Sequence, residues 1–340
     1  MLRPDNNQKG MAMLVVIWAL VLLIALGTEF AFSMKTEVNT TRNFKEDIES
    51  YHLAKAGLAL ARAEILQPAD YHGDHAELGM IVGTELADPA AQPLFPAQGQ
   101  DGETAAVAQP LPVRTNIELG SGTVSYTIID ENRKIPINSA SREVLVRALL
   151  RSGVENEEDI DIIADSILDW IDADDNHRIN GTENDYYLKL NPPTPARNGP
   201  IQVLEELLQV RGMTREIFYG GGQVPQEGPP QEGSEGGGFR RFFTLYNVGP
   251  VNPNTADEGV LSLLFDPAQI EEIMANREEF GYHNATLSTF FRIVSTGRVT
   301  GSPTQHTLVA VVQKTGSADE PALITHYWND NWIDYENDLH

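Results

Sequence analysis

Lys9-Gly10-Met11-Ala12-Met13-Leu14-Val15-Val16-Ile17-Trp18-Ala19-Leu20 opens an uncharged apolar run that continues to Thr28 and ends at Glu29. At about 1.5 Å per helical residue, residues 11–28 cover about 27 Å, close to the hydrocarbon thickness of a bilayer. The ten residues before the run are polar and net positive, with Arg3 and Lys9 against Asp5. A secretory signal would have a shorter apolar region ending in a small-x-small cleavage site. Here the candidate cut, Gly10 followed by Met11, lies ahead of the run. Cleavage there removes the charged leader and leaves the hydrophobic helix on the mature chain. The helical pattern continues past the run through Met34, Val38, Ile48, Leu53, Leu58, Leu60 and Ile65, with no proline until Pro68. The spacing therefore predicts one N-terminal helix over residues 11–67, apolar at its start and amphipathic further on. A plain signal anchor with a helical stalk fits that periodicity equally well.

Composition bounds the remainder. A chain of 340 residues can bury a real core, in two domains by length. Its net charge of −25 and pI near 4.6 disfavour nucleic acid and anionic lipid and invite cations. Without cysteine, disulfides and thiolate chemistry are excluded. Arg3 and Lys9 before the only strong apolar segment predict a cytoplasmic N-terminus, a single pass, and the bulk of the chain across the membrane.

Residues 68–112 are rich in Pro, Ala, Gly and Asp and read as loops with at most one short element. A strand signal begins at Gly122-Thr123-Val124-Ser125-Tyr126-Thr127-Ile128-Ile129 and continues through Ile135 and Ile137. Its partners lie far away, around Phe290-Phe291-Arg292-Ile293-Val294 and Thr307-Leu308-Val309-Ala310-Val311-Val312, with residues 297–306 as a turn. Beyond Gly316 the tail is acidic and aromatic and has no clear period. Between the strand regions the reading is helical. Ser139-Ala140-Ser141 leads into residues 143–150, and residues 157–171 carry Ile160, Ile163, Ala164, Ile167, Leu168 and Ile171 on one face. Further helices are read over residues 201–210, from Asn254 through Leu264, and from Asp266-Pro267 onward. The class is thus α+β, with a helical domain over 139–287 inserted between two parts of an α/β module, 68–138 and 288–340. Residues 219–241, dominated by Gly, Pro, Gln and Glu, read as a flexible loop within the insert.

The sharpest chemical signal is Asp172-Ala173-Asp174-Asp175-Asn176-His177-Arg178-Ile179-Asn180-Gly181-Thr182-Glu183. Counted from Asp172, oxygen-bearing side chains fall at positions 1, 3, 5, 9 and 12: Asp172, Asp174, Asn176, Asn180 and Glu183. Arg178 at position 7 can give its backbone carbonyl, and Ile179 at position 8 is apolar. This is the spacing of an EF-hand calcium loop, and calcium is a hard cation that takes six to eight oxygens. Two features depart from that motif: His177 stands where it wants Gly, and no firm second helix follows. Asp185 is a candidate to complete the shell. A solvated acidic loop after a helix is the plainer alternative.

Ile137-Asn138-Ser139-Ala140-Ser141-Arg142-Glu143-Val144-Leu145 and Val251-Asn252-Pro253-Asn254-Thr255-Ala256 look like openings of helix-hairpin-helix units, which can bind DNA backbone. The hairpin-like Gln209-Val210-Arg211-Gly212-Met213 supplies one Arg in a strongly acidic chain, so packing is the better reading. The eight His are scattered, and HExxH, GxSxG and P-loop patterns are missing. The expectation is a protein that is not an enzyme. A signal-anchored periplasmic hydrolase and an exported helix-hairpin-helix nucleic-acid binder are the alternatives, disfavoured by the missing nucleophile pattern and by the net charge.

The leader and apolar run resemble the type IV prepilin class, and several further motifs narrow the resemblance. Tyr51-His52-Leu53-Ala54-Lys55-Ala56-Gly57, Asp130-Glu131-Asn132-Arg133-Lys134-Ile135-Pro136-Ile137-Asn138 and Asp169-Trp170-Ile171-Asp172-Ala173-Asp174 are three of them. Gly181-Thr182-Glu183-Asn184-Asp185-Tyr186-Tyr187, Glu206-Leu207, Asn252-Pro253-Asn254-Thr255-Ala256 and Ile293-Val294-Ser295-Thr296-Gly297 complete the set. In this order they are similar to the minor pseudopilin K family of type II secretion systems. The resemblance implies a pseudopilin fold with a large helical insert. It implies processing between Gly10 and Met11 by a prepilin peptidase in the inner membrane, and N-methylation of Met11. Its partners would be the I and J minor pseudopilins and the pseudopilus, which exports folded proteins, and no nucleic acid. The family tends to have Asp after the Glu of the stretch corresponding to Gly181–Asp185; this chain has Asn184, which keeps an oxygen but loses a charge. Most pilin-like subunits carry Glu at mature position five, which the resemblance suggests neutralises a neighbour's N-terminal amine. Here that position is Val15, which implies a place at the tip with nothing ahead of it.

Overall fold

The computed structural model describes residues 7–66, 70–72, 79–81, 114–220, 238–280, 283–284, 286, 288–317 and 320–330. Helix α1 (Asn7–Leu66) is one element of 60 residues. Strands β1 (Asp70–His72) and β2 (Gly79–Ile81) pair as a small ribbon; they are the only described part of the stretch read as loops, and the rest of it lies outside the described residues. Strands β3 (Ile117–Leu119) and β4 (Gly122–Asp130) form a hairpin, followed by the short β5 (Ile135–Pro136). Helices α2 (Arg142–Arg151), α3 (Glu157–Ile171), α4 (Asn184–Tyr187) and α5 (Arg215–Tyr219) come next. Then β6 (Phe243–Thr244) pairs in parallel with β5, and α6 (Glu258–Leu264) and α7 (Pro267–Phe280) close the helical part. Strands β7 (Phe290–Val299), β8 (Gln305–Gly316) and β9 (Pro321–Asn329) end the described chain.

The main sheet is antiparallel in the order β3-β4-β7-β8-β9. Strand β4 pairs with β7 across the whole helical insert, with Tyr126 opposite Ser295 and Ile128 opposite Ile293. One face of the sheet takes the C-terminal part of α1. Leu58, Ala61 and Ile65 bury there against Tyr126, Ile128, Phe291, Ile293, Ala310 and Val312. The helix comes close enough that a Cβ on Gly297 would lie 2.2 Å from the Ser50 carbonyl oxygen and 2.4 Å from the Ala54 nitrogen. Only glycine permits that approach. A buried ion pair seals the end of this contact. Arg114 Nε donates to Glu64 Oε2 at 3.3 Å and its Nη2 also bonds Glu64, while Tyr126 OH donates to the same Oε2 at 3.1 Å. Burial, then the Glu64 charge, pushes Tyr126 up to about 12.

The insert has its own core, with Leu145, Leu149, Ile163, Ile167, Tyr187, Phe218, Phe239 and Phe242 among its most deeply buried members. Ser141 caps α2 by accepting from Val144 N, and Asn156 caps α3 by accepting from Glu158 N. The α3 first turn carries Glu157, Glu158 and Asp159, the favourable sign for a helix start.

Several sequence expectations are revised. Residues 204–209 form a 3-10 helix rather than an α-helix. The helix expected from Asn254 begins at Glu258, capped by Asp257, because Asn252 ties residues 254–256 into a turn. The strand expected to run on through Ile135 breaks at a 3-10 turn, Glu131–Arg133, where Asp130 accepts from Asn132 N. Strands β7 and β8 are longer than expected, so the turn between them is only residues 300–304. The aromatic tail contains β9, an edge strand whose positions are all exposed or half-buried. At the ends of the expected loop, Tyr219 belongs to α5 and Phe239 is fully buried in a 3-10 turn; residues 221–237 lie outside the described residues.

Insert and sheet meet at one buried polar node. Asp130 accepts from Asn132 N (2.8 Å), Asn252 Nδ2 (2.9 Å), Thr255 Oγ1 (2.7 Å) and Ser288 Oγ. Asn132 Oδ1 accepts from Thr289 N and Phe290 N, and its carbonyl takes Asn252 N at 2.7 Å. Burial pushes the Asp130 carboxyl up, against the pull of those four donors. Beside it Glu131, also buried, accepts from Arg292 Nε and Thr244 Oγ1, both at 2.6 Å. Burial alone would raise Glu131, but Arg292, Lys134 and the Thr244 hydroxyl hold it below its usual value.

Candidate functional site

Two features stand out: an unpaired apolar helix and an acidic loop. Residues 13–45 of α1 are all exposed and stand apart from the sheet core. The most apolar window of the helix has a mean hydropathy of 2.4 and is wholly unburied, so α1 is long and apolar enough to cross a membrane. Trp18 is 74% exposed and Val15 68%. Thr28 Oγ1 donates back to the Ile24 and Ala25 carbonyls, and Thr36 to Phe32, so these hydroxyls are satisfied inside the helix. Gly10 and Met11 lie on the same helix. Such a surface needs lipid or other helices around it.

The acidic loop begins where α3 ends. Asp169 and Asp172 lie one turn apart at the negative end of that helix, where a carboxylate is disfavoured and a cation welcome. Asp169 is fully buried. It accepts from Arg178 N (3.1 Å), Arg178 Nη1 and Thr182 N (2.8 Å). The loop crosses it so closely that a Cβ on Gly181 would fall 1.8 Å from Asp169 Oδ2. Arg178 Nη1 also donates to Asp172 Oδ2 at 2.6 Å, whereas Asp172 Oδ1 is buried without a partner. Glu183 is only 2% exposed, and neither of its carboxylate oxygens has a hydrogen-bond partner. Burial, followed by the charges of Asp169, Asp172, Asp175 and Asp174, pushes it up to about 7.

The positions read from the sequence divide into two groups. Asp172, Asp174 and Glu183 share one negative region with Asp169 and Asp175. Asp174 Oδ1 accepts from Asn176 N and Nδ2, closing a turn that holds its carboxyl below the usual range. Asn184 Nδ2 donates to Asp175 Oδ1 and its Oδ1 accepts from Ala196 N, so it braces the loop against the segment that follows α4. Asn180 turns away and donates to Asp165 Oδ2. The Arg178 carbonyl accepts from Gly181 N. Asp185 faces solvent beside Lys189 at 4.0 Å. The EF-hand order is therefore not the order in which this loop gathers oxygens. Sequence spacing missed Asp169, Asp175 and Asn198; the repeat of Asp169 and Asp172 at helical distance was the available signal. Asn198 Nδ2 donates to Asp175 Oδ1 and the Asp174 carbonyl, and its own Oδ1 is buried without a partner.

As placed, no three His, Cys, Asp or Glu side chains among the described residues converge closely enough to hold a metal ion. The donor chemistry nevertheless fits a hard cation. All the groups are oxygens, and the unpartnered ones, both oxygens of Glu183 and one of Asp172, are buried acceptors that require a positive partner.

Among the described residues, one long helix lies on an antiparallel sheet and a helical domain is spliced between two neighbouring strands. Residues 125–219 match the family model for type II secretion system protein K. The chain is 26% identical over 216 residues to a putative type II secretion system protein K of Escherichia coli K12. It is 22% identical over 286 residues to the protein K of Pseudomonas aeruginosa, and 23% over 214 residues to that of Klebsiella pneumoniae. These alignments cover 63%, 82% and 63% of this chain, and 61%, 75% and 61% of the respective relatives. The solved GspK-GspI-GspJ complex of enterotoxigenic Escherichia coli contains a chain similar at a TM-score of 0.44 and 15% identity, covering 64% of this chain and 82% of that one. Over these stretches the chain is similar to type II secretion system protein K, and it spans about three-fifths of the length of the first of these relatives.

Proposed function

We propose that this protein is a minor pseudopilin that sits at the tip of the type II secretion pseudopilus and starts its assembly. The observation that carries the reading is the exposed apolar stretch of α1, continuous with a helix docked on a folded domain whose insert matches protein K. The apolar stretch holds the subunit in the inner membrane, N-terminus inside and the folded part in the periplasm. A prepilin peptidase cuts between Gly10 and Met11, and Met11 is methylated. The helix then packs with those of the I and J minor pseudopilins, the components whose counterparts accompany the similar chain in the solved complex. Val15 offers no carboxylate for the amine of a subunit ahead of it, and an unpaired buried amine is costly. Both that feature and the bulk of the insert suit the tip. The role is assembly for protein export, not catalysis.

In the same reading the acidic loop binds calcium as a structural ion. Asp172 and Glu183 would hold it, with Asp169, Asp174 and Asp175 as neighbouring charge, tying the end of α3 to the start of α4.

Intact mass of the membrane-extracted protein, produced with and without a prepilin peptidase, tests the assignment. Loss of residues 1–10 with one methyl gained on Met11 supports it; an unprocessed chain in the presence of the peptidase contradicts it.

A further inference from the structure

The cation site contains a cation of its own. Arg178 Nη1 bridges Asp169 and Asp172, its backbone N–H donates to Asp169, and its side chain remains 38% exposed. Of the described groups in this region it is the one positive charge that bonds the carboxylates of α3's last turn. Its reach stops short of Glu183, whose two oxygens stay unpartnered in a nearly solvent-free position. Asp172 is split, with one oxygen on the guanidinium and the other buried and bare. One side of the cluster is thus neutralised by the protein, and the other is left open.

We infer that Arg178 is a tethered counter-ion of this site: it holds Asp169 and Asp172 together while the loop is ion-free, and a divalent cation must displace it from Asp172 to bridge Asp172 and Glu183. The inference rests on the calcium reading above and adds the step by which the loop changes state. Arg178 can leave without unfolding anything, because its guanidinium is partly exposed while its backbone N–H stays on Asp169. The displaced interaction is a charge-assisted hydrogen bond at a half-exposed position, worth about 1.5 kcal/mol, which corresponds to about tenfold in affinity. Arg178 thereby weakens the site and keeps the ion-free loop folded.

The test is calcium titration calorimetry, with a thermal melt in chelator, on the detergent-extracted full chain and its Arg178→Gln, Arg178→Lys and Glu183→Gln variants. Arg178→Gln is expected to bind calcium about tenfold more tightly than wild type and to melt lower in chelator. Arg178→Lys keeps the charge on a shorter, more strongly hydrated side chain, so its affinity falls between the two, and it serves if Arg178→Gln does not fold. Glu183→Gln is expected to lose binding. If Glu183→Gln loses binding but neither Arg178 variant binds more tightly, the counter-ion role is wrong and the calcium site stands. If neither wild type nor any Arg178 variant binds calcium, the calcium reading fails and takes this inference with it.

Discussion

Asn252 Nδ2 donates to Asp130 Oδ2 at 2.9 Å, joining the end of β4 to the helical insert across 122 residues of chain. With Thr255, Ser288 and Asn132 on the same carboxylate, one buried group fixes where the insert leaves the sheet and where the chain returns to it. Asp130→Ala would leave four donors unanswered. The expected loss is about 3 kcal/mol in chemical denaturation. Hydrogen exchange should quicken around Asn132, Asn252 and Phe290 before the centre of the sheet.

At Gly297 the packing of α1 on the sheet is tight against backbone. A Cβ on Gly297 meets helix backbone, which cannot turn aside as a side chain can. Gly297→Ala should destabilise the folded domain by about 2 kcal/mol, whereas Gly301→Ala, in open space on the adjacent turn, should act only through its positive φ and cost less. Parallel thermal melts of the two variants make the comparison.

Tyr126 gives a pH dependence with a definite sign. Its folded pKa, about 12, lies above the ordinary value of 10, so the folded state holds a proton that the unfolded state releases between those values. The contribution is fully present below pH 10 and is lost as pH rises through 12, on the order of 2 kcal/mol. Tyr187, also pushed up to about 12 by burial, adds a similar loss in the insert. Tyr126→Phe should flatten part of the alkaline decline while lowering stability by about 1 kcal/mol at neutral pH, through loss of its bond to Glu64. Denaturation at pH 8, 10 and 11 measures both effects.

Glu183 should show opposite effects with and without calcium. In chelator at pH 8 its charge is buried and unpartnered, so Glu183→Gln is expected to raise the melting temperature by a few degrees. In millimolar calcium the wild type should gain stability and the variant should not. Melts of both proteins under both conditions give a crossing pattern; parallel curves would remove the ion from the account.

Much of this was legible in the residues, for physical reasons. The uncharged run, the absence of proline before Pro68 and the apolar spacing through Ile65 specify one long helix, which the structure shows as α1. Residues 157–171 carry a clean apolar face and a cap, and α3 has those limits. Strand β9 was hidden because an edge strand buries little: Ile324 and Trp328 are both more than 40% exposed, so no strong alternation marks it. The segment around Leu204 and Leu207 has helical spacing yet closes as a 3-10 helix, where six residues bury one side chain fully. The acidic loop was legible as a place where oxygens gather. Which oxygens meet was not, because Asp169 comes from the preceding helix and Arg178 takes up space through its side chain rather than its carbonyl. The Asp130 node was also illegible: its partners are Asn, Thr and Ser, brought together only by the return of the chain after the insert.

The claim at the centre is assembly at the tip, and its most direct measurement is the native mass of what this chain forms when produced in membranes with a prepilin peptidase and the I and J minor pseudopilins. The account predicts one complex containing a single copy of this chain with both partners, formed only when residues 1–10 have been removed. A processed chain that extracts alone, or only with copies of itself, would contradict it.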